Sequence, residues 1–288
     1  MAAFCAVGQD ATQLTSAQLE QLEHNLKYQQ GAIKIQGGYA TLNVPTNFNF
    51  LDANDAKTVL VKFWGNPPSA VDDTLGMLIP SDTNPLKDDC WAVTISYSND
   101  GYVKDDDAAK INYDDLLKKM QAGIQENNKE RTQKGYPAMQ LVGWATPPHY
   151  DAASHKLYWA KELNIEGAGE NTLNYEIRVL GRRGVLDLTA IAAMHQLPYI
   201  QKQAPQILSM VDFDQGNRYA DFDPKVDKVA AYGIAALIAG GIAAKLGFFK
   251  LLLVFLVAAK KFIIIACAAI AAWFRKIFAK RKDTPPSA

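Results

Sequence analysis

The chain has 288 residues, 49% of them hydrophobic and 21% charged, with 19 Gly and 13 Pro. Such a composition is globular and excludes collagen-like, low-complexity and disulfide-stapled classes. The formal net charge of +0 hides a split: residues 1–224 carry 19 Lys and Arg against 28 Asp and Glu, a net of −9, and residues 225–288 carry 11 against 2, a net of +9. The acidic body has no basic face to neutralise phosphates, which argues against nucleic acid as a partner.

The N-terminus, MAAFCAVGQD, lacks a basic leading region, and its apolar run spans only Ala2 to Val7. A signal peptide needs about 7–15 apolar residues behind a positive charge. The small residues before Gln9 read as the end of a truncated signal, so residues 1–14 are assigned to a leader. Thr15 and Gln18 fit a capping box, and Leu14 is placed to staple onto Leu19. Leu19, Leu22 and Leu26 continue at helical spacing, with Gly31 expected to stop the helix.

Tyr39 to Val44 alternates as a strand, Pro45 interrupts it, and Phe48 and Phe50 share a face beyond it. Asp52 to Phe63 predicts a helix with Ala53, Ala56, Val59, Leu60 and Phe63 inward. Leu75 to Ile79 and Trp91 to Tyr97 predict strands, the second with Trp91, Val93, Ile95 and Tyr97 on one face. Asn99 to Asp115 is acidic and leads into a helix capped by Asn112, with Asp114 and Asp115 in its first turn. Leu117, Met120 and Ile124 mark its inward stripe, and Gly135-Tyr136-Pro137 ends it.

Strands follow over Met139 to Ala145, His155 to Leu163, Leu173 to Leu180 and Val185 to Ala190, with Gly181 to Gly184 as a tight turn between the last two. A helix from Leu197 to Met210 closes the domain. Strands in runs, with hairpin-length turns and interspersed helices, predict an α+β domain over residues 15–224: a mainly antiparallel sheet flanked by helices.

From Val229 the chain is apolar. Sixteen uncharged residues reach Ala244, and the pattern continues to Phe274 with only Lys245, Lys250 and Lys260-Lys261 intervening. No single run reaches the ~20 residues of a span. A central Lys costs roughly 2.5–3.5 kcal/mol on insertion, against about −0.3 to −0.6 for each Leu, Ile, Phe or Val. Residues 251–274 offset much of that cost, and residues 229–249 span if Lys245 snorkels. Residues 225–288 therefore read as a membrane-anchoring tail of transmembrane helices with a basic C-terminus, and the 46 residues from Val229 to Phe274 suit two spans better than one. The lipid bilayer is the expected partner. The rival reading is a buried helical hairpin.

Several stretches carry a family resemblance: TLNVPTNFNFLDANDAKTVLVKFWGNPP (41–68), SNDGYVKDDDAAKINYDDLL (98–117), GYPAMQLVGWATPPHYDAASHKLYWAKEL (135–163), NYEIRVLGRRGVLDL (174–188) and DKVAAYGIAALIAGGIAAKLGFFK (227–250). They resemble a family of bacterial membrane-anchored proteins, domain of unknown function 2167. The resemblance implies membrane anchoring and bacterial origin and carries no site residues with it. A fainter similarity is to the PsbP-type α/β/α sandwich, in the phenylalanine strand after Pro45, the Gly181-Arg182 turn and the helix before Ser209 to Phe213. It implies topology only.

Three sequence features bear on chemistry. The six aspartates from Asp100 to Asp115 miss the alternate-position spacing of calcium loops, and read as a solvated loop and helix start. The Gly143 to Asp151 loop places Trp144 and Tyr150 around two prolines, with His149 and Asp151 as polar groups; Trp64-Gly65-Asn66-Pro67-Pro68 repeats the pattern. Trp64, Trp144, His149, Tyr150 and Asp151 are thus candidates for a ligand or partner groove, or else structural turns whose rings close the core. There is no GxSxG elbow, phosphate loop, dinucleotide fingerprint or HExxH, and Cys5, Cys90 and Cys267 form no CxxC pair. No catalytic residue, metal ligand or cofactor site is assigned.

The sequence predicts an envelope protein whose periplasmic domain binds other membrane or envelope proteins from the inner membrane. The alternatives are an envelope enzyme using His149 and Asp151, and an accessory subunit of a membrane transporter.

Overall fold

In the computed structural model, residues 14–35, 39–87 and 89–240 are described. The leader and the 251–274 segment lie outside them. Helix α1 (Ser16–His24) starts on the expected capping box: the Thr15 hydroxyl accepts from the Gln18 amide, and the Gln18 side chain accepts from the Thr15 amide. It ends at Asn25, well before Gly31. Tertiary bonds take over there, because the Lys27 amide donates to Asp55 and Gln29 bridges to Phe50 in both directions. Gly31, at φ 85°, opens a strand instead.

That strand, β1 (Gly31–Ile35), pairs with β2 (Ala40–Val44). Strand β3 (Phe48–Asp52) follows the Pro45 turn, with Phe48 and Phe50 buried on one face. Asp52 caps α2 (Ala53–Thr58) by accepting from the Asn54 and Asp55 amides. The helix then widens into a π-turn over Val59–Phe63, which buries Val59 and Leu60. Strands β4 (Thr74–Pro80) and β5 (Ala92–Ser98) stand as expected. The short β6 (Tyr102–Lys104) precedes α3 (Tyr113–Gln133), whose cap Asn112 accepts from the Asp114 and Asp115 amides.

The long hairpins β7 (Met139–Asp151), β8 (Lys156–Ile165), β9 (Thr172–Leu180) and β10 (Val185–Ala193) follow. Helix α4 (Leu197–Met210) and strand β11 (Val211–Phe213) come next. Seven strands form one antiparallel sheet in the order β3-β4-β5-β10-β9-β8-β7, and β1, β2 and β11 form a second sheet.

Alternation along the strands sends side chains to two faces. One face carries Trp91, Val93, Ile95, Tyr175, Ile177, Leu186 and Leu188 into a core with the small sheet and with Ile200, Ala204 and Ile207 of α4. Lys156 lies across this boundary and donates to the Leu208 and Val211 carbonyls at the end of α4, and burial pulls its ammonium below the ordinary lysine value. The other face bears two separate cores, one under α2 and one beneath α3. Helices thus cover both faces, the arrangement of an α+β fold with a mainly antiparallel sheet.

Two readings change in this frame. The stripe of α3 turns by a residue: Leu116 is its buried side chain, and Leu117, Met120 and Ile124 are half-buried. The turn brings Gln121, Asn128 and Arg131 against β7, the outermost strand. Gln121 donates to the Leu141 and Val142 carbonyls, Asn128 both donates to and accepts from the Met139 backbone, and Arg131 donates to the Pro137 carbonyl. A helix thereby satisfies an edge that would otherwise invite another strand.

The second change concerns the tail. Residues 229–249 were expected to start a membrane helix, but Val229–Gly233 is strand β12, parallel to β6. The short α5 (Ile234–Ile238) follows, with Ile234, Leu237 and Ile238 buried in the core beneath α3. The compact unit continues past residue 224 to Ala239. Among the described residues no helix is long and apolar enough to cross a membrane. The physical reason is local: an apolar segment that can reach an open protein core is buried there first.

Shortening the chain to end at Pro224 removes those three buried side chains. The 1–224 chain should be less stable than the 1–239 chain by on the order of 4 kcal/mol. Urea denaturation measures this, and equal midpoints would contradict the assignment of residues 225–239 to the fold.

Candidate functional site

The residues proposed for a groove do not meet in one. Gly143 to Asp151 is not a loop but the second half of edge strand β7, with register shifts near Trp144 and between Thr146 and His149. Prolines are tolerated at an edge, where no neighbour needs their missing N–H. Trp64 is buried in the core under α2, its indole donating to the Pro85 carbonyl at 3.0 Å. Trp144 packs in the core beneath α3 and donates to the Tyr113 carbonyl. His149 is exposed, with its ring 5.0 Å from that of Tyr158, which packs on the α4 side of the sheet. Asp151 turns both oxygens to its own hairpin, accepting from the Ala153 amide and the Ser154 hydroxyl.

Tyr150 alone joins a polar cluster. Its hydroxyl lies 2.7 Å from Asp105 and 3.1 Å from His155 Nδ1. A carboxylate only accepts, so the phenol donates to Asp105 and His155 donates to the phenol through Nδ1–H. Burial, then the hydrogen bond to Asp105, holds the Tyr150 hydroxyl far above its ordinary range. The His155 backbone has φ 53°, and its imidazole stacks on Tyr219, which stacks on Tyr102, which stacks on Phe222, with ring centroids 4.0–4.3 Å apart.

The acidic stretch is correspondingly not just a solvated loop. Asp100 accepts from the Tyr232 hydroxyl, Asp105 from Tyr150, and Asp107 from the Ile234 and Ala235 amides. Arg182, in the tight turn between β9 and β10, is bound at 2.6 Å to Asp227.

The densest constellation is one the sequence reading passed over. In the middle of the face that bears α2 and α3, between their two cores, four charged side chains cross three strands. Glu176, only 4% exposed, accepts from Lys161 at 2.8 Å, Arg178 at 2.8 Å and the Thr189 hydroxyl at 2.7 Å. Arg178 also reaches Asp187 at 2.6 Å, and Asp187 accepts from the Ser98 hydroxyl at 2.9 Å. The Arg178 guanidinium lies 5.1 Å over the Trp159 ring.

The two carboxylates are driven apart. Burial alone would raise Glu176, but Lys161 and then Arg178 overcome it and hold this acid below its ordinary value. At Asp187 burial outweighs Arg178, and the acid stays above its ordinary value. Arg178 is raised against its own desolvation by Asp187 and Glu176.

Beside this network a cavity of about 270 Å3 opens between the α2 segment and β5; half of its lining is apolar, Leu60, Val71 and Ile191 among it, and the polar half includes Asp73, Thr74 and Ser96. Hydroxyls and one carboxylate suit hydrogen bonding to a small polar molecule. Outside the cavity, Ser98, the serine bound to a carboxylate in this network, is not activated as a nucleophile, because its Asp is already paired with Arg178. Among the described residues no group of three His, Cys, Asp or Glu side chains is gathered to hold a metal.

A signal for the network was present. Counting back from the Gly181 to Gly184 turn pairs Arg178 with Asp187 and Glu176 with Thr189. Period two places all four on one face.

The geometry defines an α+β sheet domain with an internally neutralised charge network. The chain belongs to the family described as "Protein of unknown function (DUF2167)", whose model matches residues 27–271. No curated protein sequence matches it. Among solved structures it is similar to cyanobacterial PsbP (CyanoP) from Synechocystis sp. PCC 6803, at 8% identity over 66% of this chain and 94% of that one, TM-score 0.36. It is also similar to the Saccharomyces cerevisiae Ran-binding protein Mog1p, at 9% identity over 69% of this chain and 100% of that one, TM-score 0.33.

Removing one member of a buried ion network strands the others. Arg178→Ala is expected to cost about 3–5 kcal/mol in chemical denaturation. The pH dependence has a definite sign. Glu176 is depressed in the fold, so its contribution is full above the ordinary glutamate value of 4.5 and is lost as pH falls. Asp187 is raised and contributes with the opposite sign above 3.8. The stability gap between the parent and Glu176→Gln should therefore narrow as pH falls from 6 to 3. A gap independent of pH would refute the pairing.

Proposed function

We propose that this is a membrane-anchored binding domain of the bacterial cell envelope, held in the inner membrane by its C-terminal tail and facing the periplasm. Its partners are other membrane or envelope proteins. What carries this reading is continuity: the first compact unit runs to Ala239, and an apolar sequence with a basic end follows directly. The part residues 229–239 take in the fold leaves 34 residues from 241 to 274 for the membrane. That is short of two spans of ~20 residues and favours one, over 251–274. One span puts Arg275, Lys276, Lys280, Arg281 and Lys282 in the cytoplasm, as the positive-inside rule requires, and the acidic domain outside.

Binding is favoured over catalysis because the charged groups of the sheet already neutralise one another. His149 and Asp151 face solvent and their own turn. Helices on both faces of an antiparallel sheet are in keeping with a PsbP-type sandwich.

The test combines flotation with labelling. The full chain should float with phospholipid vesicles. Ser69, exposed beside α2, and Ser287 are each changed to Cys in a Cys5→Ser, Cys267→Ser background. Cys90 can stay, since burial lifts its thiol to about 11 and keeps it unreactive. A membrane-impermeant maleimide on intact spheroplasts should label S69C and not S287C. Labelling of both indicates two spans, and protection of S69C overturns the periplasmic placement.

A further inference from the structure

We propose that residues 228–239 form a releasable latch, which leaves its seat as one unit while the seven-stranded sheet stays folded, and which passes movement of the following residues to the domain. The transmission half rests on the membrane reading above; the release half does not.

The attachments of this segment are few and its own. Strand β12 pairs only with β6, in a two-stranded sheet apart from the other two, and its register shifts between Val229 and Gly233. A lone two-stranded pairing is marginal in water. The Tyr102 amide donates to the Lys228 carbonyl, the Tyr232 hydroxyl donates to Asp100, and the Ile234 and Ala235 amides donate to Asp107 at 2.9 and 3.0 Å. The apolar attachment is Ala230, Ile234, Leu237 and Ile238, with Tyr232 and Ala239 packed beside them, against a core with Val103, Leu157 and Trp159.

The closed seat is sterically discrete. Gly101 has φ 109°, and a side chain there would meet the Lys228 carbonyl oxygen at 2.5 Å. A side chain at Gly233 would meet the Asp107 carboxylate at 2.6 Å. Such close fits are made or broken rather than stretched, the behaviour of a two-state element. Asp227, tied to Arg182 at 2.6 Å and to the Asp223 amide at 2.7 Å, fixes the point from which the segment swings.

The seat also carries a penalty while closed. Trp159 is 1% exposed, and its indole N–H has no acceptor. A buried donor without a partner is costly, and water reaching it on opening restores the bond. Trp159 belongs to the same core as Ile234, Leu237 and Ile238.

Hydrogen exchange followed by mass spectrometry on the full chain in phosphatidylcholine vesicles tests both halves. Asp107→Ala should speed exchange of residues 229–239 and 102–104 at least tenfold and leave β9 and β10 unchanged. Tyr232→Phe should speed the same residues by less. Equal acceleration in β9 and β10 would show that the segment is inseparable from the core, and would overturn release. For transmission, the parent is compared in thin and thick bilayers, made from 14- and 22-carbon monounsaturated chains. At least a threefold difference in exchange confined to residues 229–239 is expected, and identical rates overturn it. Flotation of the same samples reports the membrane reading separately: a chain that does not float refutes anchoring, while the Asp107→Ala comparison in solution still decides release.

Discussion

Arg178 lies between two carboxylates on the face of the sheet that bears α2 and α3, and this pairing constrains much of the domain. A buried guanidinium is tolerated only where its charge is met at short range. Glu176 on its own strand and Asp187 on the next meet it, at 2.8 and 2.6 Å. Lys161 then balances Glu176, and Ser98 binds Asp187. Four neighbouring strands, β8, β9, β10 and β5, are thereby held in one register. A slip of one residue would turn every one of these groups to the opposite face, into the apolar core under α4.

Because the network is neutral within itself, the face can be partly covered by apolar elements on either side. The core under α2 gathers Leu51, Met77, Ile79 and Ala92. The core beneath α3 gathers Leu157, Leu180, Val185 and the C-terminal segment. The lane between them is polar and bordered by a small cavity. The same neutrality explains why a cluster rich in ionisable groups presents no free base. Away from this network, aspartates of the 100–107 loop hold the last described turn of the fold.

Local chemistry in the sequence carried a long way. The Thr15 and Asn112 caps, the Phe48–Phe50 face, the Trp91–Tyr97 alternation and the limits of α4 are set by contacts within a few residues, and each stands where spacing places it. The antiparallel hairpin around Gly181 to Gly184 was legible for the same reason. Membership of a family was legible in long blocks of residues that need no structure to be compared.

What the sequence could not carry was the meeting of distant segments. Gly143 to Asp151 looks like a loop because prolines break local pairing, and only its place at the sheet edge makes it a strand. Trp64 and Trp144 share a local pattern but enter different cores, since an indole follows whichever apolar volume its strand or helix faces. Val229 to Ile238 has the hydropathy of a membrane helix. Hydropathy records only that these side chains leave water, and the core built by Val103, Leu116, Leu157, Leu180 and Val185 takes them in. The sequence by itself thus determined the elements, the sheet class and the apolar tail, whose causes are short-range. The tertiary structure decided where the polar groups neutralise one another and where the folded domain ends, because both depend on which distant surfaces come into contact.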